Sequence, residues 1–477
     1  MPSISREEPA AQAGRADAAP VFAFDNSYAR LPERFFASLP PERVSRPQLI
    51  RINHALAEEL GLDLSSLDRE EAAQIFAGNR LPAGAEPLAM AYAGHQFGGY
   101  TPQLGDGRAI LLGEVIDRSG RRRDIQLKGS GRTPFSRRGD GRAALGPVLR
   151  EYVVSEAMHA LGVPTTRTLA AVTTGDLVAR ETMLPGGVVT RVASSHIRVG
   201  TFQYFAAQGD HEAVRILADH AIARHFPQIT HEPGKYVAFY DSVLDRQAEL
   251  VAHWMSLGFI HGVMNTDNMA ISGETIDYGP CAFMEAYAPQ TKFSFVDEFG
   301  RYAYANQPRI APWNLARLAE ALLPHVDTDP DRGIETLGNV LGTFPDRFRA
   351  AWLRHMRGKL GLRREEAEDD ALIEDLLDAM HRGEADFTLT FRRLADAVFG
   401  PEGEVELRSL FRQTEALDGW IPRWRERLGR EARDSSEIAK QMRGVNPVFI
   451  PRNHRIEQMI AAAVERSDYT LFAELLT

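Results

Sequence analysis

The chain has 477 residues, 44% hydrophobic and 25% charged, enough to bury a sizeable core in two or three domain-sized units. Its formal charge of −10 gives no electrostatic reason to expect nucleic acid or an anionic membrane as partner, although a local basic pocket can hide inside an acidic total. No run approaches the ~18–20 apolar residues of a membrane span, the first twenty residues mix both charge signs, and the single Cys281 cannot form an internal disulfide, so a soluble protein of the reducing cytoplasm fits best.

Residues 1–20 are rich in Ala, Pro and charge without periodicity, which predicts a disordered tail. The fold is expected to begin near Phe22. From 21 to 200 short apolar runs alternate with glycine: AILLGEV (109–115), DIQLKG (124–129), TLAAV (168–172), DLVARE (176–181) and GVVTRVA (187–193). These read as strands of a small antiparallel sheet. The stretch 143–162, with Pro147 near its start and Gly162 at its end, reads as one inserted helix. From 201 to 477 helical periods dominate, interrupted by the strand-like passage FIHGVMNTDNMAISGETIDYG (259–279). The expected class is therefore α+β, a protein-kinase-like pair of lobes with a ligand in the cleft between them.

Chemistry concentrates in HGVMNTDN (261–268) and IDYG (276–279). Nucleotide-metal sites need hard oxygen donors, and kinase-like folds supply them as an Asn closing a catalytic loop and an Asp shortly after it. Asn268 and Asp277 stand in that relation, expected to be joined by a short hairpin, and such an Asp has no part in core packing. Where kinase-like loops often carry the catalytic Asp, this chain has Val263, while Asp267 beside Asn268 offers a displaced acid–base group.

Lysine usage points to a second residue. Only five of the 55 basic residues are Lys, so a Lys kept in the strand-like IQLKG is a candidate for work a guanidinium cannot do. Lys128 is expected to reach phosphate and to pair with a glutamate of the inserted helix. Periodicity favours Glu156, which continues the stripe Leu145, Leu149, Tyr152, over Glu151. Glycine-bearing loops QLGDGR (103–108) and GDGR (139–142) could bring backbone amides to phosphate, and their shared GDGRA is a short internal echo. Arg191 and Arg198 flank an expected hinge, TRVASSHIRVG (190–200).

YAGHQFGGYTPQLGDGR, DIQLKGSGRTPFSRRGDGR, EAMHALGVPTTR and HGVMNTDNMAISGETIDYGP together resemble the selenoprotein O family, and the resemblance runs from about Phe24 to NPVFIPRNHRIE (446–457). That family consists of pseudokinase-fold protein adenylyltransferases. The resemblance implies ATP bound inverted, its γ-phosphate buried and its α-phosphate facing Ser, Thr or Tyr hydroxyls of protein substrates, the enzyme itself included. It implies that Lys128, Arg191 and Arg198 hold the buried phosphates, that Gly105, Gly107, Arg108, Asp140, Gly141 and Asp277 line the nucleotide site, and that Asn268 and Asp277 bind Mg2+ or Mn2+. Asp267 would accept the proton, and the helix glutamate falls on Glu151 rather than Glu156. The chain departs from many members in stopping at LFAELLT, without a cysteine- or selenocysteine-bearing tail. A conventional phosphotransferase and a silent nucleotide-binding scaffold remain the alternative readings.

Overall fold

The computed structural model describes residues 21–477; the tail expected over 1–20 lies outside them. The glycine-punctuated apolar runs do form strands. In chain order these are β1 (Phe36–Ser38), β2 (Gln48–Ile52), β3 (Leu88–Met90), β4 (Gly94–Gln96), β5 (Gly99–Thr101), β6 (Ala109–Ile116), β7 (Arg122–Lys128), β8 (Ala143–Ala144), β9 (Arg167–Ala179) and β10 (Met183–Ala193). Eight of them make one sheet in the order β1-β3-β6-β7-β10-β9-β2, with β8 added to β10, and its pairings are antiparallel. β4 and β5 form a separate hairpin. The runs at 168–172 and 176–181, expected as two strands, belong to the single long β9. Gly175 sits inside it at φ +77°, and the β9–β10 register slips nearby, so this glycine marks an irregularity within a strand rather than a turn between strands.

Alternation along β7 assigns its residues to two faces. Ile125 and Leu127 join Val188 and Val192 in a core closed by α1 (His54–Glu59) and α2 (Arg69–Phe76). Gln126 and Lys128 take the other face, and the β7–β10 register sets Arg191 opposite Gln126 and Val189 opposite Lys128. That face carries α3 (Leu145–Ala160), the expected inserted helix, which starts two residues late because Ala143–Ala144 is spent on β8.

The chain then turns helical, through α4 (Val199–Ala206), α5 (His211–His225), α6 (Lys235–Leu257) and α7 (Gln307–Leu322), followed by nine further helices between Pro330 and Leu475. The architecture is thus an antiparallel sheet plus a large helical region. One continuous hydrophobic core runs from Tyr28 through α3 and α6 to Phe472, and burial of its larger side chains contributes roughly 1.5–3 kcal/mol each. Among the described residues no helix is long and apolar enough to cross a membrane.

The strand-like passage at 259–279 is mostly not strand. Only β11 (Phe259–Ile260) pairs, with β12 (Ala282–Phe283), and the rest is loop with one 3-10 turn at Thr266–Asn268. The hairpin expected between Asn268 and Asp277 is absent. Ala270 bridges to Arg198 instead and Thr275 to Thr165, so this segment spends its backbone on other parts of the chain.

Candidate active site

Lys128 and Arg191 share a sheet face with α3, and α3 brings Glu151 onto them. The Lys128 ammonium donates to Glu151 Oε2 at 2.7 Å, and Arg191 Nε donates to Glu151 Oε1 at 2.6 Å. Both cations also reach Asp277 Oδ1, at 3.0 and 2.6 Å, while Arg198 Nη1 donates to Asp277 Oδ2 at 3.1 Å. Three cations therefore converge on one carboxylate. Burial opposes its ionisation, but Arg191, Lys128 and Arg198 together hold Asp277 well below the usual carboxylate range. Glu151 is likewise held low by Arg191 and Lys128 against the effect of burial. Burial, with Arg191 close by, lowers the Lys128 ammonium. Asp277 was expected to take no part in core packing; its part in the fold is electrostatic, as the counter-charge to three cations.

Glu156 lies elsewhere. It receives Arg167 at 2.8 Å and Asn53 at 2.8 Å, away from Lys128, so the glutamate that periodicity favoured is a structural one.

The loop carrying Asp267 and Asn268 is tied to the segment carrying Asp277 by His261. Its Nε2–H donates to the Ile276 carbonyl at 2.9 Å, and its Nδ1 accepts from the Val263 N–H at 3.4 Å, which fixes the tautomer. Asp277 takes a left-handed backbone, φ +63°, one that Asp tolerates better than most residues. Asn268 Nδ2 donates to the Val263 carbonyl at 2.9 Å, which leaves its side-chain oxygen for a hard cation. An ionised Asp and an amide oxygen make a sparse donor set, the kind that suits Mg2+ or Mn2+ completed by phosphate oxygens and water. The residues present fit such an ion.

Asp267 is 7% exposed, and burial pushes its carboxyl up to about 6. Oδ2 accepts from Gln96 Nε2 at 3.2 Å, whereas Oδ1 is buried without a partner among the described residues. Gly94 leaves room for it, because a Cβ there would lie 2.4 Å from Oδ1. The β4–β5 hairpin thus lies over the loop, with further bonds from the His95 N–H to Thr266 Oγ1 at 2.7 Å and from the Phe97 N–H to Asn265 Oδ1 at 3.2 Å.

These groups face a cavity of about 780 Å³ where the sheet meets the helical region; of the twelve predicted site residues all but Glu151 line it. Gly105, Gly107, Arg108, Asp140 and Gly141 are among them, yet their glycines have a packing reason of their own. A Cβ on Gly105 would meet the Phe135 ring at 2.2 Å, and one on Gly141 would meet the Gly131 carbonyl at 2.0 Å. The two GDGRA copies differ in role: Asp106 is buried and accepts from the Met90 N–H and Gln126, while Asp140 pairs with Arg180 at 2.8 Å.

A family model described as "Protein adenylyltransferase SelO" matches residues 21–477. The chain belongs to this family. A protein nucleotidyltransferase YdiU of Rhizobium etli (strain CIAT 652) is 61% identical over 457 residues, 96% of this chain and 91% of the relative. One of Rhizobium rhizogenes (strain K84 / ATCC BAA-868) is 62% identical over 458 residues, with 96% and 91% covered. One of Rhodopseudomonas palustris (strain BisB5) is 61% identical over 456 residues, with 96% and 93% covered. The selenoprotein O resemblance read from four motifs therefore holds along the described chain.

Sequence reasoning missed several residues of the cavity. Tyr92 lies under the Arg198 guanidinium, 4.4 Å from ring centroid to Cζ. Gln96 reaches Asp267, and Gln126 sits between Asp106 and Arg191. Arg132, Arg137 and Arg138 line the cavity with Arg108, and none of the four has a carboxylate partner among the described residues. A signal for these was present in RTPFSRRGDGR, where arginines crowd a loop that no helix or strand period explains.

Proposed function

We propose that the chain binds ATP with Mg2+ or Mn2+ in this cavity and transfers AMP to Ser, Thr or Tyr hydroxyls of proteins, itself among them. The acceptor oxygen bonds to the α-phosphorus, the bond from that phosphorus to the bridging oxygen breaks, and pyrophosphate departs with the electron pair. Asp267 takes the hydroxyl proton. The sheet-bearing part up to about residue 200 and the helical part beyond it act as the two lobes of a kinase-like arrangement.

One observation carries this reading: the buried Arg191 and Arg198 and the half-buried Lys128 gather at Asp277, whereas Arg108, Arg132, Arg137 and Arg138 are exposed around the same cavity. A triphosphate entering with its terminal end first gives its greatest charge to the buried group. Its α-phosphate then stays toward the opening, where an acceptor can attack in line. Val263, apolar where a kinase base would be needed, fits transfer from the α- rather than the γ-position. Asn268 and Asp277 would hold the metal, which when bound neutralises phosphate charge. Glu151 keeps Lys128 and Arg191 placed.

Label position in ATP tests the reading. With [α-32P]ATP, protein is expected to become radioactive; with [γ-32P]ATP it is not. The reverse result makes this a phosphotransferase, and binding of ATP without transfer of either label makes it a scaffold.

A further inference from the structure

An acceptor protein has to approach the cavity, and an unusually exposed apolar surface adjoins it. Phe295 and Phe299 are each 97% exposed, and Val296 between them is 65% exposed. Two aromatic rings left in water four residues apart make a patch rather than scattered exposure. Their turn is pinned. The buried Asp297 carboxylate accepts from the backbone N–H groups of Arg301 and Tyr302, both at 2.8 Å, and the Lys292 ammonium donates to the carbonyls of Asp297 and Glu298. Beside the rings is a hollow of about 600 Å³ lined by Phe97, Val296, Phe299 and Ile310 together with charged groups that include Arg301 and Arg309. Phe97 lines both this hollow and the nucleotide cavity, and its N–H is bonded to Asn265, two positions before Asp267.

We infer that this shelf seats the acceptor protein, through a segment that flanks the modified hydroxyl and lays a large apolar side chain against Phe295, Phe299 and Phe97. The inference rests on the AMP-transfer reading. The occupant follows from continuity, since the shelf runs through Phe97 into the cavity of an enzyme whose family modifies proteins, and aromatic side chains on a held backbone are what protein–protein contacts concentrate their affinity in.

The test compares the wild type with Phe295→Ser/Phe299→Ser and Phe295→Leu/Phe299→Leu, using [α-32P]ATP and the desalted proteins of a bacterial lysate as acceptors. ATP affinity is measured by calorimetry and mass by light scattering. The Ser pair is expected to incorporate at least ten-fold less label at unchanged ATP affinity and melting temperature, and the Leu pair to keep most of it. Equal labelling by the Ser pair overturns the proposal, as does loss of its ATP affinity. A wild-type dimer that the Ser pair converts to monomer overturns it in favour of a second copy of this chain. No α-label transferred by the wild type removes the AMP-transfer reading, and the shelf with it.

Discussion

Replacing Asp277 with Asn takes one negative charge away from the point where Lys128, Arg191 and Arg198 meet. Asn keeps the volume and tolerates the left-handed backbone at φ +63°, so the change is close to a pure removal of charge. Ala would add strain and confuse the result. Removing one partner of a buried ion pair costs about 3–5 kcal/mol. The Asp277 side chain is 20% exposed, which places it at the low end of that range. At roughly 2 cal/mol/K of unfolding entropy per residue, a chain of this length loses about 3 °C in melting temperature for about 3 kcal/mol.

The same charge acts in the opposite sense on phosphate. Without metal, Asp277 repels a polyphosphate arriving at the three cations, so Asp277→Asn is expected to bind metal-free tripolyphosphate more tightly, by about ten-fold or ~1.4 kcal/mol. Transfer in the presence of metal should nevertheless fall by about 100-fold or more, because a metal donor is gone. Calorimetry with tripolyphosphate in chelator, a melting scan and label transfer read the three effects separately. A variant that binds tripolyphosphate no better than the wild type and still transfers AMP at the wild-type rate would refute both the convergence argument and the metal assignment.

Lys128→Arg keeps the charge but is expected to lose transfer by about 100-fold, since a guanidinium fork cannot place one donor between Glu151 and Asp277; a steady-state rate near wild type would undo the argument from lysine scarcity. Glu151→Gln should cripple transfer while Glu156→Gln leaves the rate intact and lowers only the melting temperature, because Glu156 serves Arg167 and Asn53; equal rates for the two variants would count against the Lys128–Glu151 pairing. Cys281 is fully buried, and burial pushes its thiol up to about 12, so alkylation at neutral pH should be slow and activity the same with and without reductant. Oxidative loss of activity that an alanine at 281 abolishes would show otherwise.

How far the sequence reached depended on what each signal measures. Lys128 stood out because composition made a lysine unexpected, and that argument needs no conformation. The choice between Glu151 and Glu156 did need one. Periodicity assumes a helix with one apolar face, but α3 buries Val148, Leu149, Tyr152, Val153, Val154 and Met158, which cover most of its circumference. A helix enclosed on nearly all sides has no stripe to follow; the family resemblance pointed to Glu151, and the physical reason is the sheet register that sets Lys128 and Arg191 under α3. In the passage 259–279 the residue types were informative and the conformation was not. His261, Asn265 and Thr266 are buried polar groups bonded to distant segments, and no local propensity records such partners.

Net charge was informative only over a distance larger than the site. The chain is acidic by ten charges, yet nine basic residues and four acidic ones line the cavity, an excess of the opposite sign. In physiological salt exposed charges act over about 8 Å. A phosphate entering this cavity therefore responds to Arg108, Arg132 and their neighbours far more than to the acidic surface of the helices. The total of −10 bears on solubility and on nonspecific partners, and those were the classes it could exclude. It never bore on a polyanion small enough to fit inside. The arginines of RTPFSRRGDGR went unassigned for the same reason: they are brought together by tight contacts at Gly105 and Gly141 in a loop without period, and a proximity created by packing leaves no repeat in the sequence to read.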